Sequence, residues 1–132
     1  MAKKQVEQLK LFVSYNYGDK VLVYNVAQVI DCPGWEVIRF NSEETDQKKL
    51  YKDIKNTITQ CNAAVFVVGN NNHNSPWIKK EADIVTSKRK PYFLLQLPNT
   101  NGAPPEKAKK GRKTSWDRLE VNAELRRIQQ EL

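Results

Sequence analysis

Glu81 is the residue whose type and setting most invite chemistry. On a helix its neighbours three and four positions away are Trp77, Ile78, Ile84 and Val85, all apolar. The carboxylate therefore falls on the greasy side of its segment, where a charge is unfavourable unless it is paired or used, and where burial raises a carboxylate's pKa. Such perturbations gather at functional sites, but structural ion-pair networks produce them as well. Two roles are open on spacing alone: Glu81 reaches past its neighbours to a lysine or a backbone amide, or it acts on a substrate. The structural role is the favoured one of the two at this point.

The other candidates are weaker. Trp77, one turn before Glu81, offers a flat wall for a heterocycle, although a tryptophan near the start of an amphipathic helix is more often core. The run Ser14-Tyr15-Asn16-Tyr17-Gly18 offers amides, hydroxyls and aromatic faces to a nucleotide, without the glycine density of a phosphate-binding fingerprint. His73 is the single histidine, which excludes a multi-histidine metal site, and in its asparagine-rich run it reads as a solvated loop residue. Lys107, Lys109, Lys110, Arg112 and Lys113 form a basic cluster with no interleaved aromatics to stack on bases. That cluster reads as a solvated, flexible connection, and nucleic acid is not the expected partner.

The elements that must position these residues are legible from hydrophobic spacing. Leu9, Leu11, Phe12 and Val13 predict a first strand that gives way to a loop over 14–18. Asp19 can cap a helix over 20–30 that groups Leu22, Val26, Val29 and Ile30. Pro33-Gly34 breaks the chain before a second strand over 35–40. Leu50, Ile54, Ile58 and Cys61 recur at helical spacing over 46–61, with Lys48, Lys49, Lys52 and Lys55 left to water. The apolar run 63–68 is short and rich in β-branched residues, which predicts a central strand covered on both faces. Ser75-Pro76 supplies an N-cap and a first helical residue for a helix over 76–87, with Lys88, Arg89 and Lys90 at its C-terminal end. A further buried strand is expected over 91–97, a flexible basic loop over 98–113, an edge strand around 114–116 and a last helix from about 119.

Alternating strands and helices predict an α/β fold: an open parallel sheet of four to five strands with helices on both faces. In such sheets ligands bind outside the carboxyl ends of the strands, where strand order reverses, so the loops to watch are 14–18, 41–45 and 69–74.

A chain of 132 residues suits one domain, taken here as 1–132. Its formal charge of +7 attracts anions but does not choose among dinucleotides, nucleic acid and acidic proteins. Cys32 and Cys61 match no metal-ligand spacing and are expected as reduced thiols. The polar start and the lack of any membrane-length apolar run lead to the expectation of a soluble, cytoplasmic protein with no membrane partner.

Two segments resemble the TIR (Toll/interleukin-1 receptor) superfamily, in particular the bacterial and archaeal TIR-like branch that includes the Thoeris anti-phage sensors. Leu11-Phe12-Val13-Ser14-Tyr15 is similar to the family's opening strand, an apolar pair followed by serine and an aromatic. Ser75-Pro76-Trp77-Ile78-Lys79-Lys80-Glu81 resembles its Ser-x-Trp-x-x-x-Glu helix, whose glutamate is catalytic in TIR NADases. The prolines after Leu97, the lysine-rich connection and Ser115-Trp116-Asp117 resemble the distal part of the same branch. The sequence departs from many TIR enzymes in carrying Asn16 where arginine is frequent, and in having no glycine in its 41–45 loop.

The resemblance implies a flavodoxin-like three-layer sandwich and reverses the preference at Glu81 in favour of catalysis. It also implies cleavage of the nicotinamide–ribose bond of NAD+, with NAD+ as substrate and no bound cofactor. Ser14, Tyr15, Asn16, Asn41, Ser42 and Trp77 would then line the substrate site. The product would be ADP-ribose or a cyclic isomer, a signal to a downstream effector, and activity would call for self-association of TIR domains. The alternative within the family is a non-enzymatic adaptor that binds other proteins. A receiver domain is disfavoured because Val67-Val68-Gly69 lacks a phospho-acceptor aspartate, and a flavin-binding domain because 14–18 lacks threonines.

Overall fold

In the computed structural model the described residues are 8–15, 29–30, 32–40, 45–70 and 75–132. They form five strands, β1 (Leu9–Ser14), β2 (Trp35–Arg39), β3 (Ala63–Val68), β4 (Tyr92–Gln96) and β5 (Arg112–Thr114). The longer helices among them are α1 (Gln47–Gln60), α2 (Pro76–Ser87) and α3 (Arg118–Glu131), and one 3-10 turn covers Glu106–Ala108.

The strands make a single parallel sheet in the order β2-β1-β3-β4-β5. This is the flavodoxin-like order, with β3 at its centre and the reversal of strand order between β1 and β3. Successive side chains of a strand point to opposite faces, and the two cores follow that alternation. Leu11, Val13, Val65, Val67, Phe93 and Leu95 face α3, meeting Val121, Leu125 and Ile128. Phe12, Ala64, Phe66, Val68 and Leu94 face α1 and α2, meeting Ile54, Ile58, Ile78, Ala82 and Val85. Helices thus cover both faces, giving the three layers expected.

Local signals account for the helix ends. Asp46 caps α1 through its carboxylate, which accepts from the Lys48 and Lys49 amides. Ser75 caps α2 by accepting from the Ile78 amide, and Pro76 occupies the first helical position. Of the helix expected over 20–30, only Val29 and Ile30 lie within the described residues, and both are buried in the α3-side core. Cys32 packs in that core and Cys61 in the other; both thiols are free, and burial pushes Cys61 up to about 11.

Two expectations shift. Ser14, expected in a loop, is the last residue of β1, paired with Phe66 and almost fully buried, because its hydroxyl finds a buried partner. The edge strand spans Arg112–Thr114 rather than 114–116, held by register with Phe93, Leu94 and Leu95 and by the Thr114 hydroxyl donating to the Leu94 carbonyl at 2.8 Å. No helix among the described residues is long and apolar enough to cross a membrane.

Candidate functional site

Ser14 ends β1 on the sheet face covered by α2, the same face as Phe12 two residues earlier. Glu81 lies in the middle of α2, and its side chain points into that core alongside Ile78, Ala82, Ile84 and Val85. The two meet across the layer, with the Ser14 hydroxyl donating to Glu81 Oε1 at 3.2 Å. Burial pushes the Glu81 carboxyl up to about 8, against the smaller downward pull of the Ser14 hydrogen bond. Burial thus favours the protonated form of Glu81 well above the usual carboxylate range.

A second buried carboxylate shows what an ordinary structural solution looks like. Glu124 on α3 is as buried as Glu81, but its oxygens meet the Arg112 guanidinium, with Nε at 3.1 Å, and the Arg127 guanidinium. Among the described residues Glu81 has a hydroxyl as its partner in place of such cations. A buried carboxylate without a counter-charge is destabilised in its ionised form, and burial accordingly moves Glu81 toward the protonated one. Among the described residues, the side-chain partner of Glu81 is the Ser14 hydroxyl.

The remaining sequence candidates are distributed around this pair. Trp77 is half-buried against the same core one turn before Glu81, and Lys80 Nζ sits 4.3 Å from the centre of its ring. Tyr15, next to Ser14, packs instead against the core on the opposite face of the sheet. Asn16, Asn41 and Ser42 lie outside the described residues, as does His73. The basic cluster is partly paired: Lys107 with Asp83 on α2, and Arg112 with Glu124. Residues that sequence reasoning passed over are Gln96, Thr100 and Gly102, which close on the end of β3; nothing in their proline- and asparagine-rich setting distinguishes them from an ordinary surface loop.

A carboxyl at the carboxyl ends of the strands, beside the reversal between β1 and β3, occupies the position where this sheet order binds ligands. Residues 12–102 match the profile of the family described as Thoeris protein ThsB, TIR-like domain. The chain belongs to this TIR-like family. The matched stretch holds both Ser14 and Glu81 of the TIR-like domain, together with most of the strand and helix motifs that carried the resemblance; Ser115-Trp116-Asp117 lies beyond it. No curated protein matches the sequence closely enough to add a characterised relative. Among solved structures, the TIR-like domain is similar to a 3-dehydroquinate dehydratase-like protein from Bifidobacterium longum, with a TM-score of 0.56. The two are 13% identical over 93% of this chain and 97% of that one, a likeness of fold alone.

Proposed function

We propose that this TIR-like domain cleaves the bond between nicotinamide and ribose in NAD+ and so produces a nucleotide signal in anti-phage defence. The observation that carries the reading is the buried Glu81 carboxyl with a hydroxyl, and no cation, as its described partner. Membership of a family named for Thoeris supports the defensive role.

In this reaction the C1′–N bond breaks with its electron pair going to the ring nitrogen. Nicotinamide leaves neutral, so no acid is needed to protonate it. The ribose carbon gains positive charge, which a nearby carboxylate stabilises by Coulombic attraction and by accepting from ribose hydroxyls, as in glycoside cleavage. Glu81 in its ionised form takes this role, and a cationic nicotinamide ring entering the site favours that ionised form. Ser14 holds the carboxylate in place. Water attacking C1′ and releasing a proton gives ADP-ribose; an adenine nitrogen of the same molecule gives a cyclic isomer.

Trp77 supplies apolar packing one turn from the carboxyl, and Asn16, Asn41 and Ser42 belong to the proposed substrate contacts, whereas Tyr15 packs on the other face of the sheet and drops out of them. NAD+ is substrate here, with no resident cofactor. Self-association of the domains and a downstream effector that senses the product complete the proposal. The test is incubation of concentrated protein with NAD+, with and without a crowding agent, followed by mass spectrometry of the nucleotides. Release of nicotinamide that disappears in Glu81→Ala supports the reading; intact NAD+ under every condition overturns it.

A further inference from the structure

The connection between β4 and β5 makes its crossover with a single 3-10 turn in place of an α-helix, yet it grips the chain on both sides of the start of α2. At its beginning the Val68 carbonyl, at the end of β3, accepts from the Leu97 amide at 3.0 Å and from Gln96 Nε2 at 3.2 Å. The Thr100 hydroxyl, which accepts from Gln96 Nε2 at 2.6 Å, lies 3.4 Å from the same carbonyl. One residue on, the Asn101 amide donates to Asn70 Oδ1 at 3.2 Å.

Gly102 then approaches so closely that a Cβ there would lie 1.8 Å from the Gly69 carbonyl oxygen and 2.8 Å from Asn70 Cα. Only a residue without a side chain permits that contact, because the atoms in the way are backbone. Further along, Ala108 is fully buried in the core beside Ile78, Ala82 and Val85, and Lys107 Nζ pairs with Asp83 on α2 at 2.8 Å. The same connection thus holds the chain leaving β3 and the flank of α2 itself.

We propose that the 97–111 connection is the positioning element for Glu81, with Gly102 setting its close approach to the chain after β3 while Ala108 and Lys107 hold α2. A connection displaced at Gly102 passes its shift along 103–106 to Lys107 and Ala108, and so to the helix that carries the carboxyl. Gly102, Asn70 and Lys107 act through α2; none is assigned contact with reacting atoms. The activity part of this inference rests on the NAD+ cleavage reading, whereas the placement of Glu81 does not.

The experiment compares Gly102→Ala and Asn70→Ala with the parent chain by two measurements: steady-state NAD+ cleavage, and NMR titration of the Glu81 carboxyl. Gly102→Ala is expected to lower kcat by about tenfold or more with little change in KM, since small misplacements of a reacting group act on the chemical step. Its Glu81 titration is expected to move down by about one pH unit or more as the displaced helix admits water. Asn70→Ala, which removes the acceptor for the Asn101 amide, is expected to move both readouts the same way by less, and it decides the matter if Gly102→Ala does not fold. A parent chain that leaves NAD+ intact sinks the cleavage reading alone, and the titration then decides. A Glu81 titration unmoved in the folded variants overturns the positioning role.

Discussion

Ser14 and Glu81 are 67 residues apart in the chain and meet at 3.2 Å in the buried layer between the sheet and α2. The serine is the last residue of β1, so the pair stands at the carboxyl edge of the sheet, next to the reversal of strand order. Glu124, the other buried carboxylate among the described residues, is neutralised by Arg112 and Arg127. Among the described residues the contrast is between a carboxylate paired with two guanidinium groups and one whose partner is a hydroxyl.

Removing the Glu81 charge tests the chemistry. Glu81→Gln preserves shape and hydrogen bonding but cannot ionise, and it is expected to lower NAD+ cleavage by roughly two to three orders of magnitude, the range seen when an electrostatic stabiliser is lost. Nicotinamide release followed by chromatography measures it, with circular dichroism as the control for folding. Full activity in the folded variant would exclude Glu81 as the acting group. Retained partner binding with no cleavage in the parent chain would favour an adaptor.

The pH dependence follows from the position of the Glu81 carboxyl at about 8. The ionised form is the active one, so kcat/KM is expected to rise with pH, close to tenfold per unit, up to about 8 and to level off above it. Ser14 lowers that value through its hydrogen bond, so in Ser14→Ala the ascending limb should move to higher pH. A rate profile flat between pH 6 and about 9 would contradict this assignment.

Stability should run the opposite way. The folded carboxyl holds its proton up to about 8, whereas an unfolded one releases it near its usual 4.5. The native form therefore binds more protons between those two values, and stability is expected to fall as pH rises through that window and to be level above it. Glu81→Gln removes the group and should flatten the profile, making the variant more stable than the parent above pH 8 by on the order of 2–4 kcal/mol. Urea unfolding at pH 5 and pH 8.5 checks the sign; a parent chain whose stability rises across that interval would count against a raised Glu81.

A fourth outcome concerns the end of α2. Arg89 adopts a left-handed backbone with φ of 55°, its amide donating to the Thr86 carbonyl while the Lys90 amide reaches the Val85 carbonyl. Glycine carries no Cβ penalty in that conformation and is the usual residue after a helix end. Arg89→Gly is expected to stabilise the domain by about 0.5–1 kcal/mol, the penalty relieved less the added entropy of the unfolded chain. A lower urea midpoint in that variant would show that the arginine side chain contributes more than the backbone strain removes.

Much of this protein is written locally. The frame of α2 comes from Ser75, Pro76 and the spacing of Ile78, Ile84 and Val85, and that spacing alone turns Glu81 toward the apolar side. The strands at 9–14, 35–39, 63–68 and 92–96 are equally legible, because a run of apolar and β-branched residues acts on its own backbone. Tertiary structure decided the rest. Ser14 and Tyr15 are neighbours with equal claim from sequence to a site, yet Ser14 ends β1 on the face packed by α2 and becomes the partner of Glu81, while Tyr15, just past the strand, joins the other core. The 98–113 stretch reads as a polar, proline-rich loop, but Gly102 against Gly69, Ala108 against α2 and β5 against β4 are contacts between distant parts of the chain. Local composition carries no record of such meetings, since they depend on which surfaces the sheet order brings together.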